Sequence, residues 1–337
     1  MINKKEKINP AEIRPESVTS RNFLNQLSGF RELGIIVVVA IVSIFLWFTT
    51  PAFLTSSNMS AVAIGLVTDG IIAIAMTMVL VTGGFDLSVG SVLALAGMVA
   101  ANLLHGGMSM IPAILITLVA AGFVGLINGF IVSKLGINPL ITTLGMMGIA
   151  SGVTLVISGG YPVSNLPTNF LFIGQGLISD LQIPFSVILM IFLVVVFDIL
   201  LRRARWLRLI YYIGGNERAA LLSGISVNKI RTLVYVFCGV MAGLAGIIAT
   251  SRLGSAFPLA GKGAEMRVIS ACVIGGCSLK GGEGTIIGSL LGVLLMAIIN
   301  NGLVLLNVSI YWQSIVSGAI LIAAVIFDMV NQKRAQS

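Results

Sequence analysis

Carboxylates inside apolar runs are the side chains of this sequence best suited by type and position to do chemistry. Asp69 lies within one such run, and Asp198 lies near the end of another. Ionisable groups at membrane depth are costly and usually functional, and proton-driven transporters use chains of carboxylates or histidines. Two isolated aspartates are few for a chain of groups that relays protons. Asp69 therefore either lines a water-filled path or forms hydrogen bonds within a helix bundle, and the sequence leaves both open.

Two glycine-rich turns resemble each other and each carries a carboxylate. "VTGGFDLSVGSVLALAG" begins at Val81 and contains Asp86, whereas "VIGGCSLKGGEGTIIGSLLGVL" begins at Val273 and contains Glu283. We expect Asp86, or alternatively Ser88, to cap the helix that follows, because a side-chain oxygen satisfies free backbone N–H groups there. The similarity predicts an internal repeat of the kind that flanks substrate paths in transporters. Whether the repeat is parallel or inverted, or a coincidence among glycine-rich helices, stays open.

The sequence lacks the residue clusters that other kinds of chemistry need. Its only histidine is His105, and the spacing of Cys272 and Cys277 matches no common metal motif. No segment reads G-x-x-x-x-G-K-[ST], the loop that holds nucleotide phosphates. We therefore expect no catalytic residue, no metal site and no cofactor. A membrane-embedded enzyme is the least favoured class.

The segment "YYIGGNERAALLSGI", at positions 211–225, is polar between long apolar runs. Gly214 and Gly215 are expected to break the chain, Asn216 to cap a helix, and Glu217 to favour its positive end. Gly224 suits the position just after the last turn. A helix of about two turns is unstable alone in water, so it must pack against something. We interpret it as a docking helix for a cytosolic partner; the alternative is a helix that lies on the membrane surface.

Composition indicates what positions these residues. Of 337 residues, 57% are hydrophobic and 9% are charged, and the mean hydropathy is +1.06. Apolar stretches of about 20 residues can cross a bilayer. The sequence predicts an all-α polytopic membrane protein with about ten spans, at residues 33–50, 61–82, 88–104, 111–132, 139–158, 184–201, 231–251, 266–278, 285–306 and 312–329.

Basic residues indicate the orientation of these spans. Cytoplasmic loops collect Lys and Arg. With the N-terminus inside, 17 of the 20 lysines and arginines fall on the cytoplasmic side, seven of them between 202 and 231. We expect a cytoplasmic tail at 1–32, a transmembrane domain at 33–330 with a coupling loop at 202–230, and a cytoplasmic tail at 331–337. The net charge of +8 is then a topology signal and does not require a nucleic acid partner.

Three glycine pairs spaced by four predict close packing of helices. They are Gly125/Gly129, Gly239/Gly243 and Gly288/Gly292.

Four segments in the same order, from about residue 58 to 330, resemble the monosaccharide-type ABC importer permeases. They read "GGFDLSVGS", "NGFIVSKLGINPLITTLG", "IGGNERAALLSGI" and "VIGGCSLKGGEGTIIGSLLGVL". The resemblance implies a ten-span permease in a bacterial plasma membrane that moves a ribose-like monosaccharide. It also implies four kinds of partner: a cytosolic ABC ATPase, an extracytoplasmic sugar-binding protein, a second or sister permease, and membrane lipid.

The resemblance also suggests which residues act. The coupling helix of the family corresponds to Gly214, Gly215, Asn216, Glu217, Arg218, Ala219, Ala220, Ser223 and Gly224. Apart from the resemblance, five polar side chains are candidates for the translocation path or its gate: Asp69, Asp86, Ser88, Asn138 and Glu265.

The sequence departs from the family pattern at three places. Leu221 stands where many members have Arg, Trp206-Leu207 where many have Phe-Gly, and Met266-Arg267 where many have Leu-Asp. The first two bear on which ATPase fits, and the third on the ligand or the binding protein. A stand-alone secondary transporter or facilitator is the competing function. It predicts transport that depends on an ion gradient and on Asp69.

Overall fold

A computed structural model describes residues 31–178 and 183–336 and folds them almost entirely into helices. The helices are α1 (Arg31–Thr49), α2 (Ser56–Val81), α3 (Val89–His105), α4 (Met110–Lys134), α5 (Pro139–Ser158), α6 (Thr168–Gln175), α7 (Phe185–Arg203), α8 (Arg205–Gly215), α9 (Glu217–Leu222), α10 (Val227–Leu253), α11 (Ala264–Ile274), α12 (Ile286–Leu305) and α13 (Ile310–Gln336). Strands β1 (Leu177–Ile178) and β2 (Ile183–Pro184) form a short antiparallel pair, with Leu177 opposite Pro184.

The helices confirm the prediction of an all-α, multi-pass membrane protein. Within the described ranges, seven helices are long and apolar enough to cross a bilayer: α1, α2, α4, α5, α7, α10 and α12. Helix α3 is apolar but has 17 residues. Helix α11 has 11 residues and ends at Ile274, so the span predicted at 266–278 is too long at its C-terminal end.

The predicted tails lie only partly within the described residues. Residues 1–30 and 337 fall outside them. Arg31 and Glu32 already belong to α1, and α13 continues to Gln336 through most of the predicted C-terminal tail.

Helix α2 forms the centre of the bundle. Every residue from Gly70 to Val81 is buried, and the helix contacts α7, α10, α11 and α12. A helix that is apolar all round suits such a position. Large apolar side chains on α4, α5 and α7 are exposed instead, as expected for faces that meet lipid.

The three glycine pairs lie at close helix contacts, as predicted. Gly125 and Gly129 pack against the backbone of α10 at Tyr235 and Thr232. Gly239 and Gly243 of α10 pack against Ala121 of α4. Gly292 packs against Ala271 of α11, and Gly288 packs against Gly275, just after that helix. The absent side chains let the backbones approach closely.

The two glycine-rich turns end their preceding helices in the same way. In the first glycine turn (residues 82–88), Gly83 N–H donates to Leu80 and Gly84 N–H donates to Val79, at 2.8 and 3.0 Å. In the second glycine turn (residues 275–285), the corresponding bonds run from Gly276 to Val273 and from Cys277 to Cys272, at 3.0 and 2.9 Å. Gly83 and Gly276 have φ of +76° and +95°, values that glycine adopts without strain.

Candidate functional site

Helix α9 is capped at both ends by its own sequence. The Asn216 side chain accepts a hydrogen bond from Ala219 N–H at 3.0 Å, which confirms the predicted N-cap. At the other end, Gly224 N–H donates to Leu221 at 3.0 Å and Ile225 N–H donates to Ala220 at 3.1 Å. Gly224 has φ of +79°, so glycine is favoured there.

One face of α9 anchors the helix to the bundle. Ala220 is buried in a small apolar cluster with Ile213 and Val227. Glu217 forms an ion pair with Arg231 of α10, with Nη2 and Oε2 2.9 Å apart. These contacts fix the helix on α8 and α10.

The opposite face of α9 presents apolar side chains to the surroundings. Leu222 is 91% exposed and Leu221 is 54% exposed. The remaining residues of the predicted coupling set on α9, Arg218, Ala219 and Ser223, are exposed as well. Exposed leucines on a fixed, capped helix fit a surface that another protein covers, and they also fit the alternative of a helix that lies on the membrane.

The expectation that Gly214 and Gly215 break the chain is wrong. Both residues belong to the last turn of α8, and the break falls at Asn216, whose φ is −156°. Glycine is tolerated inside a helix at a modest free-energy cost, so the pair alone does not end one.

Gly214 instead lies where the two glycine turns meet. A β-carbon there would overlap the carbonyl oxygen of Val81 and crowd the amide nitrogen of Gly282. Gly282 N–H itself donates to Val81 at 2.8 Å. The Tyr211 hydroxyl of α8 donates to the Gly284 carbonyl at 2.8 Å. The segment that carries α9 is therefore in direct contact with both turns.

The first glycine turn contains a buried polar network. The Asp86 carboxylate accepts from Ser88 N–H at 2.9 Å and from the Ser88 hydroxyl at 2.6 Å, so it satisfies a backbone donor just before α3. Asn128 of α4 donates to the same hydroxyl at 2.9 Å, and Tyr235 of α10 donates to the Phe85 carbonyl at 2.9 Å. Burial raises the pKa of Asp86, and the hydrogen bonds from Ser88 oppose that rise.

Two neighbouring cavities flank an ion pair inside the bundle. Their volumes are about 320 and 210 Å³, and both are lined by Thr68, Asp69, Arg252 and Arg267. Arg267 Nε and Nη2 donate to the two Asp69 oxygens at 2.9 and 3.2 Å. Arg252 Nη1 donates to the Ile64 carbonyl at 3.2 Å. The larger cavity is also lined by Asn300 and Asn301.

The other candidates for the path lie elsewhere. Asp86 and Ser88 belong to the first glycine turn, and Asn138 is an exposed cap of α5 that accepts from Leu140 N–H at 2.8 Å. Glu265 lies in the first turn of α11, with its carboxylate against Gly90, and does not line either cavity. Of the five candidates, the structure therefore brings Asp69 alone to the cavities.

Several functional candidates escaped sequence reasoning. Arg252 and Asn300 line cavities, and Asn128 joins the Asp86 network. Asn128 is a lone polar residue in an apolar run, and that isolation is a signal that could have found it. Arg252 follows Thr250 and Ser251, and Asn300 adjoins Asn301, so neither residue stands out in the sequence. Asp198 forms an ion pair with Arg202, 2.7 Å between Oδ2 and Nε, and not with Asp69. No group of metal-ligating side chains occurs within residues 31–178 and 183–336.

Comparisons with known proteins identify the family of the chain. Residues 58–325 match the family described as "Branched-chain amino acid transport system / permease component". The chain is 41% identical to the ribose import permease protein RbsC of Bacillus subtilis (strain 168), covering 88% of this chain and 91% of that protein. It is 41% identical to RbsC of Escherichia coli (strain K12), covering 90% and 93%. It is 39% identical to the L-arabinose ABC transporter permease protein AraH of Azospirillum brasilense, covering 90% and 89%. No solved structure matches the chain.

Proposed function

We propose that this chain, which belongs to the permease-component family that its residues 58–325 match, is the membrane subunit of an ABC importer for a small sugar. The ribose and arabinose permeases to which it is similar support the substrate class. Its partners are a cytosolic ABC ATPase, an extracytoplasmic binding protein and a second or sister permease. It resides in a bacterial plasma membrane and is not itself an enzyme.

The proposed topology has ten spans with both ends of the chain in the cytoplasm. Each predicted span coincides with or overlaps a helix. The shortest, α11, would start within the membrane, because Gly261 just before it packs against Gly90, near the start of α3. Irregular backbone at that depth is tolerated where protein surrounds it. The α9 end of the bundle then faces the cytoplasm, where the basic residues between 202 and 231 are expected.

The observation that carries the proposal is helix α9. It presents Leu221 and Leu222 outward, and its preceding segment is wedged at Gly214 between the two glycine turns. A partner that moves α9 would therefore move the ends of α2 and α11 together. This is the contact that a chain without its own nucleotide-binding loop needs in order to use ATP.

The translocation path is proposed to pass through the two cavities. Sugars are strongly hydrated, so a path for them needs water and hydrogen-bonding groups, which these linings supply. The alternative of a stand-alone transporter needs Asp69 to couple transport to an ion gradient, but Arg267 donates hydrogen bonds to both of its carboxylate oxygens. A carboxylate held in this way is a poor proton carrier.

Purification of the tagged chain from its native membrane in mild detergent, with mass spectrometry of the associated proteins, tests the proposal. We expect an ABC ATPase, and we expect Leu221→Ser with Leu222→Ser to weaken its association. Burying one leucine contributes about 1.5–3 kcal/mol, or at least about tenfold in affinity. Leu259→Ser, at another exposed leucine outside α9, is the matched control. If the chain purifies alone and moves sugar in ATP-free vesicles, it is a facilitator and the proposal is wrong.

A further inference from the structure

The cavities flanking Asp69 have more positive than negative charge in their linings. Two guanidinium groups, Arg252 and Arg267, face one carboxylate. Arg267 occupies both oxygens of Asp69, and Arg252 donates to the uncharged carbonyl of Ile64. Among the residues that the structure describes, no carboxylate pairs with Arg252. Arg252, in the last turn of α10, therefore contributes a positive charge to both linings without a carboxylate partner in the described ranges.

Charged groups near the cavities do not cancel the excess of positive charge in their linings. Glu265 is close to Arg267, but its carboxylate lies against Gly90 and outside both linings. Lys262, in the exposed part of the turn before α11, adds a further positive charge. Ala264, the first residue of α11, lines the smaller cavity, and the helix has no side-chain cap there. The positive end of the α11 dipole therefore also faces the cavity.

We propose that these cavities take a sugar that carries a carboxylate, an aldonate or a uronate, with that carboxylate held by Arg252 and the free Nη1 of Arg267. This inference rests on the proposed function and narrows its substrate class. Guanidinium–carboxylate hydrogen bonds are the strong, charge-assisted kind. Thr68 and Asn300 remain for the hydroxyl groups, because neither side chain forms a hydrogen bond within the described part of the chain.

The charge of the cavity is measured by thiol modification in the assembled transporter. Thr68→Cys places a thiol in both linings, while all three native cysteines are buried. Anionic and cationic methanethiosulfonates are compared, each normalised to its rate with a free thiol. We expect the anionic reagent to react faster. Arg252→Gln should lower the anion-to-cation ratio severalfold, because removing one positive charge from the lining slows the anionic reagent and speeds the cationic one. Lys134→Gln, at an exposed lysine in the last turn of α4 and outside both linings, is the matched control.

The ligand is tested by protection of the same thiol. We expect D-gluconate to slow modification of Thr68→Cys, D-glucose to slow it less, and acetate not to slow it. Arg252→Gln should remove the preference for gluconate.

Three outcomes would overturn the inference. The first is that the cationic reagent modifies Thr68→Cys faster than the anionic one, and the second is that gluconate and glucose protect this thiol equally. The third is that neither reagent modifies the thiol, whether ATP and vanadate are present or absent. None of them affects the association with an ATPase, so the proposed function is judged separately. Loss of that association would instead remove the importer on which this inference rests.

Discussion

Replacing Gly214 by alanine should break the contact between the docking segment and the two glycine turns. The added β-carbon would overlap the Val81 carbonyl oxygen, which already accepts the Gly282 N–H at 2.8 Å. Both neighbours are backbone atoms, so no side chain can rotate away. Overpacking of this kind costs about 1–3 kcal/mol, and the displaced hydrogen bond about 1 kcal/mol more. We expect a total loss of about 2–4 kcal/mol in the free energy of unfolding.

Gly215→Ala is the matched control for stability. No atom lies within 4 Å of a β-carbon built on Gly215, and its φ is not positive. Alanine in this helix turn should therefore be neutral or stabilising by about 0.5–1 kcal/mol. The assay is thermal unfolding of each purified variant in lipid nanodiscs, together with sugar uptake in cells that express the assembled transporter.

Gly214→Ala should lower the unfolding temperature by several degrees and reduce uptake at unchanged membrane levels. If Gly214→Ala and Gly215→Ala have the same unfolding temperature, Gly214 does not lie at the junction of the turns. If Gly214→Ala unfolds early but transports normally, the junction is structural and does not couple α9 to the spans.

Asn216→Ala removes the N-cap of α9 and should cost about 1 kcal/mol; we expect weaker ATPase association by pull-down, with membrane insertion unchanged. Tyr235→Phe leaves the Phe85 carbonyl without its donor, and unfolding in nanodiscs should show a loss of about 1–3 kcal/mol. Asp69→Asn leaves the Arg267 charge without its counter-ion, so it should destabilise the protein more than the double replacement of both residues by leucine; the reverse order in the same unfolding assay would contradict this account of the pair.

Local signals made α9 predictable from the sequence. Its N-cap, its first-turn glutamate and its terminating glycine act within a few residues of one another, so their chemistry can be read without tertiary structure. The apolar spans were predictable for a similar reason, since bilayer thickness sets their length. The C-terminal end of helix α8 was not predictable, because Gly214 and Gly215 lower helix propensity but do not prevent a helix that packs on the bundle.

The cavities could not be predicted, because their residues are distant in the sequence. Asp69 and Arg267 are 198 positions apart, and nothing in the sequence around either residue indicates that they form an ion pair. The residue at which α11 ends was also not predicted, since residues 275–278 were included in the span but form a turn. Which glycine of a pair tolerates a side chain depends likewise on what packs against it, as Gly214 and Gly215 show.

The two similar segments, each a helix followed by a glycine turn, are in contact with each other at two places. Helices α2 and α11 run side by side in the same direction: Asp69 meets Arg267, and further along Thr77 lies near Cys272, 3.9 Å between Oγ1 and Sγ. Beyond their ends, the two glycine turns meet at Gly214. The two similar units are therefore joined twice, by backbone contacts at the α9 end and by an ion pair beside the cavities. In the proposed transporter, we expect a displacement of α9 to reach the ion pair along both helices. Substitutions at either junction should then alter the response of the cavity to ATP.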